Sequence, residues 1–280
     1  MIVVTGATGN VGRPLVESLV RSGHAVTAVS RGVTSPPPSL PGVTARTADL
    51  ADAASLTLAL AGAKALYLLV SGAGAHVDGA AVLRRAADAG VERVVLQSSQ
   101  AAGTRPDAVS HATLAALEEQ VRSSGMAWTI LRPGGFATNA FAWAPSIRGQ
   151  RTVFAPFADV ALPAVDPLDI AGVAAAALTG DVHTGRTYTL TGPEATSPRR
   201  RTEILADVLG DELALVELGP DEARERLLQV MPEPVADGTL AVLGRPTPDE
   251  LRVSPDVEDV LGRPATSFAT WARRNVDVFR

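Results

Sequence analysis

The apolar positions of the first half fall into short runs separated by segments of helical spacing. Ile2–Thr5 is an unbroken apolar run closed by threonine, and Arg13–Ser22 follows with Leu15, Val16, Leu19 and Val20 on one helical stripe. Gly23 stops that helix, and Ala25–Ser30 reads as a second strand. The alternation continues. Val43–Thr47, Ala65–Val70, Arg93–Ser98 and Trp128–Arg132 are predicted strands, while Ala51–Ala61, Val77–Ala89 and His111–Ser124 are predicted helices. Asp49 or Asp52 would cap the first of these helices, and Gly90 and Gly125 would end the other two. Short buried strands separated by helices of this length mean βαβ units and a parallel sheet. With right-handed crossovers the predicted fold is α/β, a doubly wound sheet with helices on both faces.

After Pro133 the texture changes. Pro and Gly become frequent, and the predicted elements are shorter: helices at Asp166–Leu178, Thr202–Leu209, Pro220–Val230, Pro248–Leu251 and Ser267–Val276, with a strand at Thr187–Thr191. The expected division is 1–135 as the sheet domain and 136–280 as a smaller lobe. That lobe is expected to pack intimately over the carboxyl ends of the strands, with segments such as Thr187–Thr191 rejoining the sheet.

Composition then narrows the chemistry. A chain of 280 residues that is 46% hydrophobic is too long and too apolar to be disordered. The absence of Cys removes disulfides, thiolate metal sites and Cys nucleophiles. His24, His76, His111 and His183 are scattered, so no metal site is expected. The net charge of −5 and the isolated Arg199–Arg201 run, read as a solvated segment, argue against nucleic acid as a partner. The longest apolar run is about a strand long, far short of the roughly 20 residues a bilayer demands. The chain opens directly into a strand, so no signal peptide is read, and a cytoplasmic protein is expected.

The strongest motif is Thr5-Gly6-Ala7-Thr8-Gly9-Asn10-Val11-Gly12, placed after the first strand and before the first helix. A tight turn there requires a positive φ, which Gly permits. Backbone must also approach a diphosphate without a Cβ in the way, and the helix N-terminus then offers N–H groups and a positive dipole end. A dinucleotide is the expected ligand, held by Gly6, Thr8, Gly9, Asn10, Val11 and Gly12. The second strand ends at Ser30-Arg31 with no acid for a ribose 2′-hydroxyl. Arg31 either pairs with a 2′-phosphate or is a solvated side chain stacked over adenine. NADP(H) is therefore expected in preference to NAD(H). Asp49-Leu50 either brackets the adenine or only starts the next helix. Val70-Ser71-Gly72 should pass close to the ribose and diphosphate.

Taken with these features, the chain resembles the atypical short-chain dehydrogenase/reductases, in particular the NmrA-like and NAD(P)H:quinone-oxidoreductase-like subgroup. The similarity is carried by the glycine loop and Arg31, by Leu96-Gln97-Ser98-Ser99, by Gly125-Met126-Ala127-Trp128-Thr129-Ile130-Leu131-Arg132-Pro133-Gly134-Gly135-Phe136, and by Asp166-Pro167-Leu168-Asp169-Ile170-Ala171. It implies an NADP-binding Rossmann domain with a C-terminal substrate lobe, and adds Gln97, Ser98, Pro133 and Gly134 to the cofactor residues. The wider superfamily uses a Tyr with a Lys four residues on. Here the residues four beyond Tyr67 and Tyr188 are Ser71 and Gly192, and the one lysine among 25 basic residues is Lys64. The pair is absent.

His111 is then either the proton donor or a helix-start histidine without a chemical role. Ser98 and Ser99 either bond a substrate oxygen or cap the loop backbone. Five of the 11 aromatic residues, Phe136, Phe141, Trp143, Phe154 and Phe157, crowd one stretch. They form either a wall for a flat substrate or the core of the small lobe, with Asn139 as the nearest polar group able to orient a carbonyl. The expected function is NADPH-dependent hydride transfer to a quinone-like or polycyclic aromatic substrate, in natural-product tailoring that includes support of a hydroxylation. The alternative is an NADP-binding redox sensor without turnover. A sugar-nucleotide epimerase is disfavoured because that chemistry leans hardest on the missing pair. A partner protein or a homo-oligomer is compatible with either reading.

Overall fold

A computed structural model describes residues 1–32, 40–70 and 76–280. Seven strands form one sheet: β1 (Ile2–Thr5), β2 (Val26–Ser30), β3 (Val43–Thr47), β4 (Ala65–Leu69), β5 (Arg93–Gln97), β6 (Ala127–Pro133) and a later strand, Arg186–Leu190. The order is β3-β2-β1-β4-β5-β6, with Arg186–Leu190 beside β6. The pairs β1–β2, β1–β4, β2–β3, β4–β5 and β5–β6 are all parallel. This is the α/β doubly wound arrangement, and its order reverses between β1 and β4, where such sheets open a crevice.

The buried strands are continuous apolar runs because both sheet faces are covered. β1 is buried throughout, whereas β3, at an edge, is mostly exposed. The Gly12–Arg21 helix buries Leu15, Val16 and Leu19, and Gly23 at φ +84° ends it. The Gly79–Asp88 helix is capped by the Asp78 carboxylate, which accepts from Ala81 N–H. The segment predicted as one helix over Ala51–Ala61 is instead a 3-10 turn, Ala53–Leu56, followed by a four-residue helix, Thr57–Leu60, with Asp52 as its cap. Lacking length, it is held by Leu56 and Leu60 in the core rather than by helix propensity.

Two compact units emerge, and they are not the two halves of the chain. The first comprises Met1–Asp107, His111–Pro133 and Pro167–Thr189. The second comprises Ala108–Ser110, Gly134–Asp166 and Leu190–Arg280. A single division at 135/136 therefore needs amending. The Pro167–Thr179 helix buries Ile170, Val173, Ala174 and Leu178 within the first unit, and Arg186–Leu190 adds a strand to its sheet.

The second unit is built around β7 (Thr152–Pro156) and β9 (Ala214–Leu218), a parallel pair on which the Pro198–Leu209 and Phe268–Arg274 helices pack; Arg186–Leu190 is β8. Its core includes Ile147, Val153, Leu205, Phe268, Trp271 and Phe279. Further helices at Ala144–Gln150, Glu233–Gly244 and Asp256–Leu261 had no predicted counterpart. Among the described residues, no helix is long and apolar enough to cross a membrane.

Candidate cofactor site

The glycine loop follows β1 directly, and its geometry separates the three glycines. Gly6 has φ +63°, and a Cβ there would meet the Leu69 side chain at 2.6 Å. A Cβ on Gly9 would meet only the Gly6 carbonyl oxygen, at 3.4 Å. A Cβ on Gly12 would collide with that same oxygen and lie 2.7 Å from the Gly6 carbonyl carbon. Gly12 thus lets the helix start against the loop. No side chain caps that helix, so its N-terminus is presented by backbone alone.

A cavity of about 240 Å³ opens at this point. Gly6, Thr8 and Gly9 line it from the loop, Ser30 and Arg31 from the end of β2, and Asp49 and Leu50 from the end of β3. Thr5, Val29 and Ala48, from the same three segments, complete the lining together with Leu69 and His76, which the sequence did not point to. The convergence has a simple cause. Each segment leaves the carboxyl end of a neighbouring parallel strand, so three distant pieces of sequence meet at one edge. Asp49 accepts from Ala51 N–H at 3.0 Å, while the helical cap is Asp52. The loop suits a diphosphate: Gly9 leaves its face of the loop bare of a side chain, and Gly12 lets the uncapped helix N-terminus start against the loop.

The other anticipated residues are placed as follows. Asn10 and Val11 belong to the loop, and Val11 is buried at the helix start. Val70 points into the sheet's core, and Ser71 and Gly72 lie outside the described residues. Gln97 is buried and accepts a hydrogen bond from the Tyr67 hydroxyl. Ser98 donates its hydroxyl proton to Glu118 at 2.7 Å, and Ser99 caps the Gln100–Thr104 helix by accepting from Ala101 N–H. His111 is half-buried in the Val109–Arg122 helix. Pro133 ends β6, and Gly134 N–H donates to the Leu190 carbonyl.

In the second unit, Phe136 is half-buried and Asn139 is exposed, its N–H donating to the Phe136 carbonyl. The Phe141 ring lies 5.1 Å from Trp271 and 6.0 Å from Phe279, inside that unit's core, and Trp143 packs against the same core. Phe154 carries the Arg226 guanidinium 4.9 Å above its ring. Among the described residues, no cluster of His, Asp and Glu could hold a metal ion.

One constellation escaped the sequence. Glu118, with 1% of its side chain exposed, receives Arg132 on both oxygens at 2.9 and 2.6 Å and Arg122 at 2.9 Å. Burial alone would raise its pKa, but the bonds from Arg132, Ser98 and Arg122 prevail and hold the carboxyl below its usual range. The Arg132 guanidinium lies close against Gly103, where a Cβ would come 2.7 Å from its Cζ. Only the Glu118–Arg122 spacing of four is visible in the sequence.

Neither tyrosine is paired with lysine. Tyr67 is fully buried, which pushes its hydroxyl far above the usual range, and Tyr188 bonds the His183 ring at 2.9 Å. Lys64 pairs with Glu92 just before β4, whereas Leu69 at the far end of β4 lines the cavity. At 3.3 Å per residue the two positions are about 16 Å apart.

The family described as NAD(P)H-binding matches residues 6–181, more than half of the chain. The chain belongs to that family. It is 41% identical over 205 residues to the (4-alkanoyl-5-oxo-2,5-dihydrofuran-3-yl)methyl phosphate reductase of Streptomyces griseus, covering 72% of each chain. It is 33% identical over 204 residues to the NAD(P)H azoreductase of Xenophilus azovorans, covering 71% of each. Its structure is similar to that of the Escherichia coli NADPH-dependent quinone oxidoreductase complexed with NADPH, with a TM-score of 0.80, 26% identity and 99% of both chains covered. The family member described here is an NAD(P)H-dependent oxidoreductase, and its fold is like that of NmrA and of the quinone oxidoreductase.

Proposed function

We propose that this protein is an NADPH-dependent reductase whose acceptor is a quinone-like or polycyclic aromatic molecule. The observation that carries the reading is the location of the two tyrosines and the one lysine, none of which can act as a proton-donating pair at the cavity. Reducing a ketone leaves an alkoxide near the basicity of hydroxide. Reducing a quinone leaves a phenolate with a pKa about 10, roughly 6 units or about 8 kcal/mol easier to protonate. Water or His111 suffices for the second case. The protein's contribution is then mainly orientation. The reductases among its relatives, which include an azoreductase, support an electron-poor conjugated acceptor.

Bound NADPH supplies the hydride. In this reading the Gly6–Gly12 loop and the helix start hold the diphosphate, and Asp49 and Leu50 flank the adenine. Arg31 pairs with the 2′-phosphate. Arg31→Ala is expected to weaken NADPH about tenfold to a hundredfold and to leave NADH nearly unchanged, as read by titrating both cofactors. Equal affinities for the two cofactors in the unaltered protein would refute the assignment. The nearly lysine-free composition and the Streptomyces relative support a place in the tailoring of aromatic natural products, where reducing a quinone prepares it for hydroxylation.

The deciding experiment mixes protein and NADPH with simple and polycyclic quinones and with unconjugated ketones, following absorbance of the reduced nicotinamide. Oxidation is expected with quinones and not with ketones. Tight NADPH binding without oxidation by any acceptor would replace the reductase with a redox sensor.

A further inference from the structure

His76 reaches the cavity at the glycine loop from a stretch of chain that supplies no other polar group to it. Ser30 and Arg31 leave β2 and Asp49 leaves β3, both on one side of β1. His76 belongs to the segment between β4 and the Gly79–Asp88 helix, and β4 lies on the other side of β1. The two strands that flank β1 thus each lead to a nitrogen-bearing side chain at the loop that follows β1. All of these residues lie within the first unit.

Both side chains are available to a ligand. Arg31 and His76 are exposed, and among the described residues neither donates a hydrogen bond to the protein or forms an ion pair with it. Asp49, the one acid in the lining, is engaged with its own loop, accepting from Ala51 N–H at 3.0 Å. The cavity therefore offers donors from both sides and little to repel an anion.

Charge then decides what lies between them. A dinucleotide carries a negative charge on each phosphate of its diphosphate, whereas a helix N-terminus supplies only about half a positive charge. The glycine loop adds backbone N–H groups but no full charge, so a further donor beside it has a partner waiting. We propose that His76 is a cofactor-binding residue that donates to the diphosphate, while Arg31 takes the 2′-phosphate. An imidazole keeps one N–H donor when neutral and has two when protonated, so the contact forms in either state. The two residues divide the work: Arg31 selects between the cofactors, and His76 sets how tightly either one binds. His76 acts in this way only if the glycine loop holds the diphosphate, and it does so whatever the hydride acceptor is.

The test is calorimetric titration of the full chain with NADPH, NADH, ADP-ribose and 2′-AMP. His76→Ala is expected to weaken the first three about tenfold each and to leave 2′-AMP, which has no diphosphate, unchanged. His76→Phe keeps a flat ring without a donor and should lose as much as alanine does. His76→Gln retains an N–H donor and should recover part of the loss. The side chain is exposed, so melting of the ligand-free variants should match the unaltered protein. Unchanged affinities in His76→Ala overturn the proposal. So does full binding by His76→Phe or a loss of 2′-AMP, either of which would make the ring a stacking surface for adenine. A loss confined to NADPH overturns it as well, since His76 would then meet the 2′-phosphate. If the unaltered protein binds 2′-AMP but not ADP-ribose, the placement of the diphosphate on the loop fails, and the role of His76 fails with it.

Discussion

Gly12→Ala is expected to cost about 1–3 kcal/mol of stability and to weaken NADPH about tenfold to a hundredfold. The added methyl would sit 2.7 Å from the Gly6 carbonyl carbon and 2.8 Å from the Ala7 Cα. Both neighbours are backbone, so no side chain can turn away to make room. Relief requires the helix start to move off the loop, which pulls apart the N–H groups that would meet a diphosphate. Gly9→Ala is the internal control. Its φ is not positive, and its Cβ meets only a carbonyl oxygen at 3.4 Å, so the folded protein should tolerate it. Any affinity that Gly9→Ala loses then measures how closely the ligand approaches the loop. Melting curves with and without NADPH separate the two effects. A Gly12→Ala protein that melts normally and binds NADPH normally would show that the loop is not the cradle.

The first unit was legible because its strands are buried on both faces. Such strands read as short apolar runs, and the glycines and caps between them mark the helices. The cavity was legible for the same reason: Gly6–Gly12, Ser30–Arg31 and Asp49–Leu50 each sit where a parallel strand ends. The error at β4 is one residue. Side chains alternate along a strand, so Leu69 faces the cavity while Val70 enters the core. His76 carried no signal, because nothing in its neighbours says that the chain returns there. The second unit was far less readable. Thr152–Pro156 and Ala214–Leu218 are short, half-exposed strands whose pairing spans about sixty residues, and neither alone resembles a buried strand. Their stability comes from tertiary packing, which local pattern does not encode. The Glu118–Arg132 pair was hidden likewise, since fourteen residues and a change from helix to strand separate its members.

That pair carries the largest expected effect on stability. Glu118→Gln keeps the side chain's shape but leaves Arg132 and Arg122 facing an uncharged amide in a site with 1% exposure. Removing one partner of a buried ion pair typically costs about 3–5 kcal/mol, because the remaining charge stays desolvated. For a chain of this size the melting temperature should fall on the order of 10 °C. The pH dependence fixes the sign. The folded protein holds Glu118 below its usual pKa, so its stabilising contribution is complete above the unfolded value of about 4.3 and is lost as pH falls through the folded value. Urea unfolding at pH 7 should therefore separate native protein from Glu118→Gln widely, and unfolding at successively lower pH below 4 should bring the two together. The double variant Glu118→Leu with Arg132→Met removes both charges and should recover part of the loss, as apolar replacements of buried pairs do. With the Arg132 guanidinium and the Glu118 carboxylate both gone, Gly103 no longer faces a cation, and Ser98 loses its acceptor. If Glu118→Gln unfolds within about 1 kcal/mol of the native protein at pH 7, the pair is a surface-like contact worth little, and the segment from Ser98 to Thr104 must be held in place by its own cap alone.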